Sequence, residues 1–194
     1  MTRLLTICGS LRVRSSNRAI LRAFVEVVGD HAEVASFDAL ATLPHFNPDL
    51  DIEPVPETVA VWRRAVTEAD ALVISTPEYA HGLPGSFKNA LDWLVSDPAF
   101  AGKRVAILHV ERGSSWALDS LREILRTMSA VIVDAACVGL RLETNQVTAE
   151  ELLRRDDVRT LLETSAAALL RVIGTEVSVP PGEGGSAAGG RTLP

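Results

Sequence analysis

The fold is decided by "RLLTICGSLRVRSSNRAILRAFVEVVG", residues 3–29. An apolar run leads into a loop of serines, arginines and one asparagine. A segment with apolar residues at helical spacing follows (Ile20, Phe24, Val27, Val28) and stops at Gly29, a common helix terminator. Strand, loop and helix in that order open an α/β protein, and the loop sits where such proteins hold a phosphate. It contains neither G-x-G-x-x-G nor the G-K-[ST] of a P-loop. Ser10, Arg12, Arg14, Ser15, Ser16 and Asn17 instead offer hydroxyls, an amide, guanidinium forks and helix N-terminal N–H groups, all donors to oxygen. That set suits a terminal phosphate with three oxygens, whereas a buried pyrophosphate needs glycines for close backbone approach. The alternative reading is a capped helix with solvated arginines.

Working outward, four more apolar runs follow "RLLTIC" (3–8): "EVASFD" (33–38), "ALVIST" (71–76), "RVAILHV" (104–110) and "AVIVDAACV" (130–138). They barely alternate, as expected of strands covered on both faces of a parallel sheet. Helix-like segments separate them. "PETVAVWRRAVTEAD" opens with Pro56 and Glu57, both good first-turn residues. "PGSFKNALDWLVS" and "SSWALDSLREILRTMS" are the next two. The last, "TAEELLRRDDVRTLLETSAAALLRVIG", opens with Thr148 and Glu151 at capping-box spacing. The βαβ alternation predicts a doubly wound, five-stranded parallel sheet of flavodoxin-like order 2-1-3-4-5, with helices on both faces. Ligands in this architecture bind beyond the strand carboxyl ends at the switch point. Two loops are therefore privileged, 9–17 and 77–84.

The 194 residues are read as one α/β domain over 1–174, and the glycine-rich end, 175–194, as a disordered tail. A net charge of −6 argues against a nucleic-acid or anionic-membrane partner, which would need a basic face. No apolar stretch approaches membrane-spanning length, and "LLTIC" is too short for a signal peptide. The only cysteines, Cys8 and Cys137, lie in apolar runs and suit a reducing compartment. A soluble, cytoplasmic protein is expected.

The second privileged loop lies in "STPEYAHGLPGSFKNALDW" and carries the only tyrosine, Tyr79. Rigid Pro77, flexible Gly82 and the pair Pro84-Gly85 shape a loop whose backbone can face a flat ligand. Taken singly, Tyr79 reads equally as core packing and His81 as a solvated side chain. Together with "GSLRVRSSN" and "LPHFNPDL", this stretch resembles the NADPH-dependent FMN reductase family of flavodoxin-like proteins, over about residues 3–173. The resemblance implies that the first motif binds the FMN phosphate through Ser10, Arg12, Ser15 and Asn17, with Ser16 beside them. It implies isoalloxazine contacts at Pro77, Glu78, Tyr79, His81 and Gly82, with Ser114 of "ERGSSW" a further candidate. Many members carry asparagine after the tyrosine, where this chain has Ala80. "LPHFNPDL", with His45 and Phe46, resembles the segment that partly covers the flavin. The implied activity is hydride transfer from NADPH or NADH through FMN to a small acceptor: a quinone, free flavin, azo compound or metal oxyanion. The cofactor performs the chemistry, so no catalytic side chain is nominated. A homodimer or homotetramer is implied as well.

Other readings compete. Cys8, five residues, Arg14 and Ser15 spell C-x5-R-[ST], the signature of low-molecular-weight tyrosine phosphatases, with Asp97-Pro98 the only candidate for their acid. That Asp-Pro is expected on the opposite edge of the sheet from the loop, and the phosphatase reading leaves the second loop unexplained. A flavodoxin-like FMN electron carrier without reductase activity is the rival binding protein, and a family member that has lost FMN is a third.

Overall fold

A computed structural model describes residues 1–111 and 113–175. The elements in chain order are β1 (Arg3–Cys8), α1 (Ser16–Val28), β2 (Glu33–Phe37), α2 (Glu57–Glu68), β3 (Ala71–Ser75), α3 (Gly85–Asp92), β4 (Arg104–Val110), α4 (Trp116–Thr127), β5 (Val131–Ile132), β6 (Val138–Leu140), α5 (Ala149–Leu153) and α6 (Asp156–Thr175). The sheet runs β2-β1-β3-β4-β5, every neighbouring pair parallel, which is the order expected.

Alternation along the strands divides the core in two. Leu4 and Cys8 of β1, Val73 of β3 and Ala106 and Leu108 of β4 pack with Ile20 and Phe24 of α1 and Leu162 and Leu169 of α6. Leu5, Ile7, Leu72, Ile74, Val105 and Ile107 face the other way, onto Trp62 of α2, Phe87 and Leu91 of α3 and Leu121 and Leu125 of α4. A strand with apolar residues at every position is needed precisely where both faces are covered. The Trp62 indole N–H is satisfied inside this core by the Ala90 carbonyl at 2.9 Å. Truncating a buried ring of this kind costs roughly 3–5 kcal/mol.

Two predicted elements are broken. "AVIVDAACV" is a two-residue β5, a turn over Asp134–Ala136, and β6, which pairs with Leu108–Val110 at the far end of β4. Aspartate is a poor strand former, and here Asp134 turns out to Arg122 while the Ala136 carbonyl accepts from buried Ser165. The last helical segment divides at Arg154-Arg155. Asp156 and Asp157 start α6, where carboxylates favour the helix N-terminus, and Arg159 donates twice to the Leu153 carbonyl that α5 leaves behind. The Thr148–Glu151 capping box is present. No helix among the described residues is long and apolar enough to cross a membrane. The tail read over 175–194 lies outside the described residues beyond Thr175.

The carboxyl ends of β1, β3 and β4 open side by side into three loops, whose described residues are 9–15, 76–84, 111 and 113–115. These form the candidate site.

Candidate active site

The first loop begins with a close approach. The Gly9 N–H donates to the Ser75 carbonyl at 2.8 Å, which sets the backbone against β3. A Cβ at Gly9 would lie 2.6 Å from the Thr76 Cβ and closer still to its Oγ1, so only glycine fits. The chain then crosses to α1, whose N-terminus is left bare. Ser15 takes the N-cap position without a side-chain cap bond, and the first turn carries no acidic residue. The N–H groups of Ser16, Asn17 and Arg18, which a helix cannot satisfy internally, find no acceptor among the described residues. Asn17 is buried, and its Oδ1 accepts from the Ser75 hydroxyl at 2.9 Å, so the amide N–H₂ remains available. Arg12 has no ion-pair partner among the described residues. An uncapped helix, a fixed amide and an unpaired guanidinium on one cleft make a site for an anion.

The second loop is a tight turn. Tyr79 and Gly82 exchange two backbone hydrogen bonds of 3.0 Å, and the two residues between them, Ala80 and His81, both have positive φ, 48° and 61°. Two left-handed residues in such a turn favour asparagine or glycine. For non-glycine residues the conformation costs roughly 1–2 kcal/mol each. Glu78 just before the turn is committed elsewhere. One carboxylate oxygen accepts from the Ser114 hydroxyl at 2.7 Å and the other from the Ala117 N–H at 2.9 Å, capping α4. The Ala117 N–H, then the Ser114 hydroxyl, hold the Glu78 carboxyl below the usual glutamate range. His81 stacks on Trp116, ring centroids 5.5 Å apart and planes 28° from parallel.

The three loops enclose a cleft of about 250 Å³. Of the residues expected from the sequence, Ser10, Arg12, Ser15, Ser16, Asn17, Pro77, Glu78, Tyr79 and Ser114 line it. His81 and Gly82 do not: His81 stacks on Trp116 and Gly82 bonds back to Tyr79. The carboxylate of Glu78 and the hydroxyl of Ser114 are spent on each other, so their part is to join the second and third loops. Residues the sequence reading missed also line the cleft: Thr76, His109, Val110, Ala117, Leu118 and Asn145. Thr76 and His109 were hidden in strand-like runs, and Asn145 follows β6 with no motif around it. Burial, the largest cause, pushes His109 below the ordinary histidine value. "LPHFNPDL" contributes nothing to this chain's own cleft. Asn89 of α3 grips it, donating to the Pro44 carbonyl and accepting from the Phe46 N–H, and the Trp93 indole donates to Pro44 as well.

The phosphatase reading fails on geometry. Cys8 is 7% exposed and its thiol donates to the Ser10 carbonyl at 3.6 Å. Burial pushes the thiol above its ordinary pKa, the reverse of what a nucleophilic thiolate requires. Arg14 lines a separate cavity, with Arg18 and Arg22, rather than the cleft. Asp97 caps the short turn at Pro98–Phe100.

Comparison with known proteins agrees with this architecture. Residues 2–144 match the family model described as NADPH-dependent FMN reductase. A quinone reductase of Escherichia coli (strain K12) is 33% identical over 135 residues, 66% of this chain and 72% of that protein. An NAD(P)H-dependent FMN reductase of Pseudomonas aeruginosa is 31% identical over 172 residues, 86% of this chain and 92% of the other. In fold, the chain is similar to FerB, a flavoenzyme NAD(P)H:(acceptor) oxidoreductase from Paracoccus denitrificans, with TM-score 0.74 and 22% identity over 90% of this chain and 98% of that one.

Proposed function

Because the chain belongs to the NADPH-dependent FMN reductase family, we propose that this cleft is the flavin site of an NAD(P)H-dependent oxidoreductase serving a small quinone or flavin acceptor. The observation that carries the assignment is the bare N-terminus of α1 facing the same cleft as unpaired Arg12. Its donors suit the terminal phosphate of FMN, and the fit needs no rearrangement of a capping side chain. Ser10, Ser15 and Ser16 add hydroxyls, and Asn17, held by Ser75, adds its amide. Pro77, Glu78 and Tyr79 of the second loop line the same cleft, which supports giving that loop the flat ring.

The chemistry that bound FMN supplies is acceptance of a hydride from a nicotinamide and delivery of the electrons onward. The protein's own part is positioning. The Gly82–Tyr79 bonds stiffen the second loop, and Glu78 ties it to α4. Residues 1–174 serve as the reductase domain in a cytoplasmic homodimer or homotetramer. Two free thiols and the exposed apolar side chains of Leu50, Ile52, Val61 and Val95 support that placement.

The test is an absorption spectrum of the protein purified with FMN, before and after anaerobic NADPH. Bleaching of the flavin band, with recovery on adding a quinone, is the expected result. Bound flavin that NADPH leaves oxidised would favour the electron-carrier reading instead.

A further inference from the structure

The aromatic side chains of this chain are distributed unevenly. Trp62, Trp93, Phe24, Phe87 and Phe100 are all but fully buried, whereas Tyr79 is 49% and Trp116 60% exposed. Burial of an aromatic ring is among the largest single gains available to a fold, so a tryptophan left in water calls for a cause. The two exposed rings are related to the cleft differently. Tyr79 lines it, and Trp116 begins α4 directly before Ala117 and Leu118, which also line it.

Trp116 is also held in place. His81 covers one side of the indole in a near-parallel stack, and the turn that carries His81 is closed by the paired Tyr79–Gly82 bonds. Glu78 fixes the other side of the arrangement by accepting from Ser114 and Ala117, the residues two before and one after Trp116. A flat aromatic surface, braced from two loops, open to solvent and flanked in the chain by the cleft-lining residues Ser114, Ala117 and Leu118, is suited to one kind of ligand. Resting on the flavin-site reading above, we infer that Trp116, braced by His81, is the surface on which the planar ring of the electron acceptor stacks. It is therefore a specificity-determining residue, favouring flat conjugated acceptors such as quinones over non-planar ones. His81 acts through Trp116 as a positioning residue.

The experiment compares the wild-type holoenzyme with Trp116→Ala and Trp116→Phe, using menadione as the planar acceptor and ferricyanide as the non-planar one. In Trp116→Ala the ratio of kcat/KM for menadione to that for ferricyanide should fall roughly two- to tenfold, the size of one aromatic stacking contact, mostly through KM. Trp116→Phe should restore most of it. Without NADPH, anthraquinone-2-sulfonate titrated into the oxidised holoenzyme should quench tryptophan emission in the wild type and much less in Trp116→Phe, since Trp62 and Trp93 are buried. An unchanged ratio, or quenching undiminished in Trp116→Phe, overturns the inference. A changed molecular mass in Trp116→Ala with the ratio intact overturns it too, assigning the ring to a subunit contact. A wild-type protein that reduces neither acceptor with NADPH would overturn the flavin-site reading instead, and the quenching titration would still decide the stacking.

Discussion

The Ser75 hydroxyl donates to Asn17 Oδ1 across 2.9 Å, a buried bond between the end of β3 and the first turn of α1. It dictates which way round the Asn17 amide lies, and so which of its atoms the cleft receives. Ser75 itself does not line the cleft. Ser75→Ala should therefore weaken FMN binding without removing any group that touches the phosphate. It leaves a buried acceptor unpaired, at a cost of roughly 1–3 kcal/mol, shared between folding stability and the orientation of the amide. Calorimetric titration with FMN and urea unfolding should both register the change. An effect on stability alone would mean that Asn17 contributes nothing to the ligand.

Arg12 and Arg14 are two residues apart and line different cavities. A charge-assisted hydrogen bond contributes roughly 1.5–3 kcal/mol, so Arg12→Ala should weaken FMN about 10- to 150-fold while Arg14→Ala changes it little. Turnover of Arg12→Ala should return when FMN is added in excess. Tighter binding of FAD than of FMN in the wild type, or a larger loss in Arg14→Ala than in Arg12→Ala, would require the phosphate site to be redrawn.

Gly9 packs where a methyl group would collide with Thr76. Gly9→Ala should destabilise the fold by about 1–3 kcal/mol, typical of overpacking in a tight contact, and should widen the gap between the first two loops. Thr76→Gly removes the colliding side chain. The double variant should thus recover part of the loss, a coupling that a double-mutant cycle in urea would measure. Strict additivity would show that the contact is not the cause.

The depressed carboxyl of Glu78 has a definite sign in stability. Its folded pKa lies below the unfolded value of 4.5, so its stabilisation is fully present above 4.5 and is lost as pH falls through the folded pKa. Melting temperature should therefore drop less steeply below pH 4.5 in Glu78→Gln than in the wild type. The two proteins should differ by a constant offset at neutral pH and above. Parallel curves throughout the acid range would show that Glu78 keeps no special hold on the N-terminus of α4.

The amino-acid sequence by itself determined the layered α/β fold, the strand order and two of the loops that line the cleft. Parallel strands covered on both faces read as unbroken apolar runs, and helix ends and turns are written in local chemistry, as at Gly29 and Thr148–Glu151. It also carried most of the first loop's donors, because a bare helix N-terminus is a property of neighbouring residues. Only the tertiary structure decided that Arg12 and Arg14 part company, since side-chain direction in an irregular loop has no period to read. Contacts between distant segments settled the rest. Glu78 is drawn to α4 by a hydroxyl 36 residues and an amide 39 residues further on, which converts an expected ring contact into a cap. His109 and Asn145 reach the cleft, and Asp134 splits the fifth strand, for the same reason. Each outcome depends on which distant partner competes for a polar group, and that competition exists only once the chain has folded.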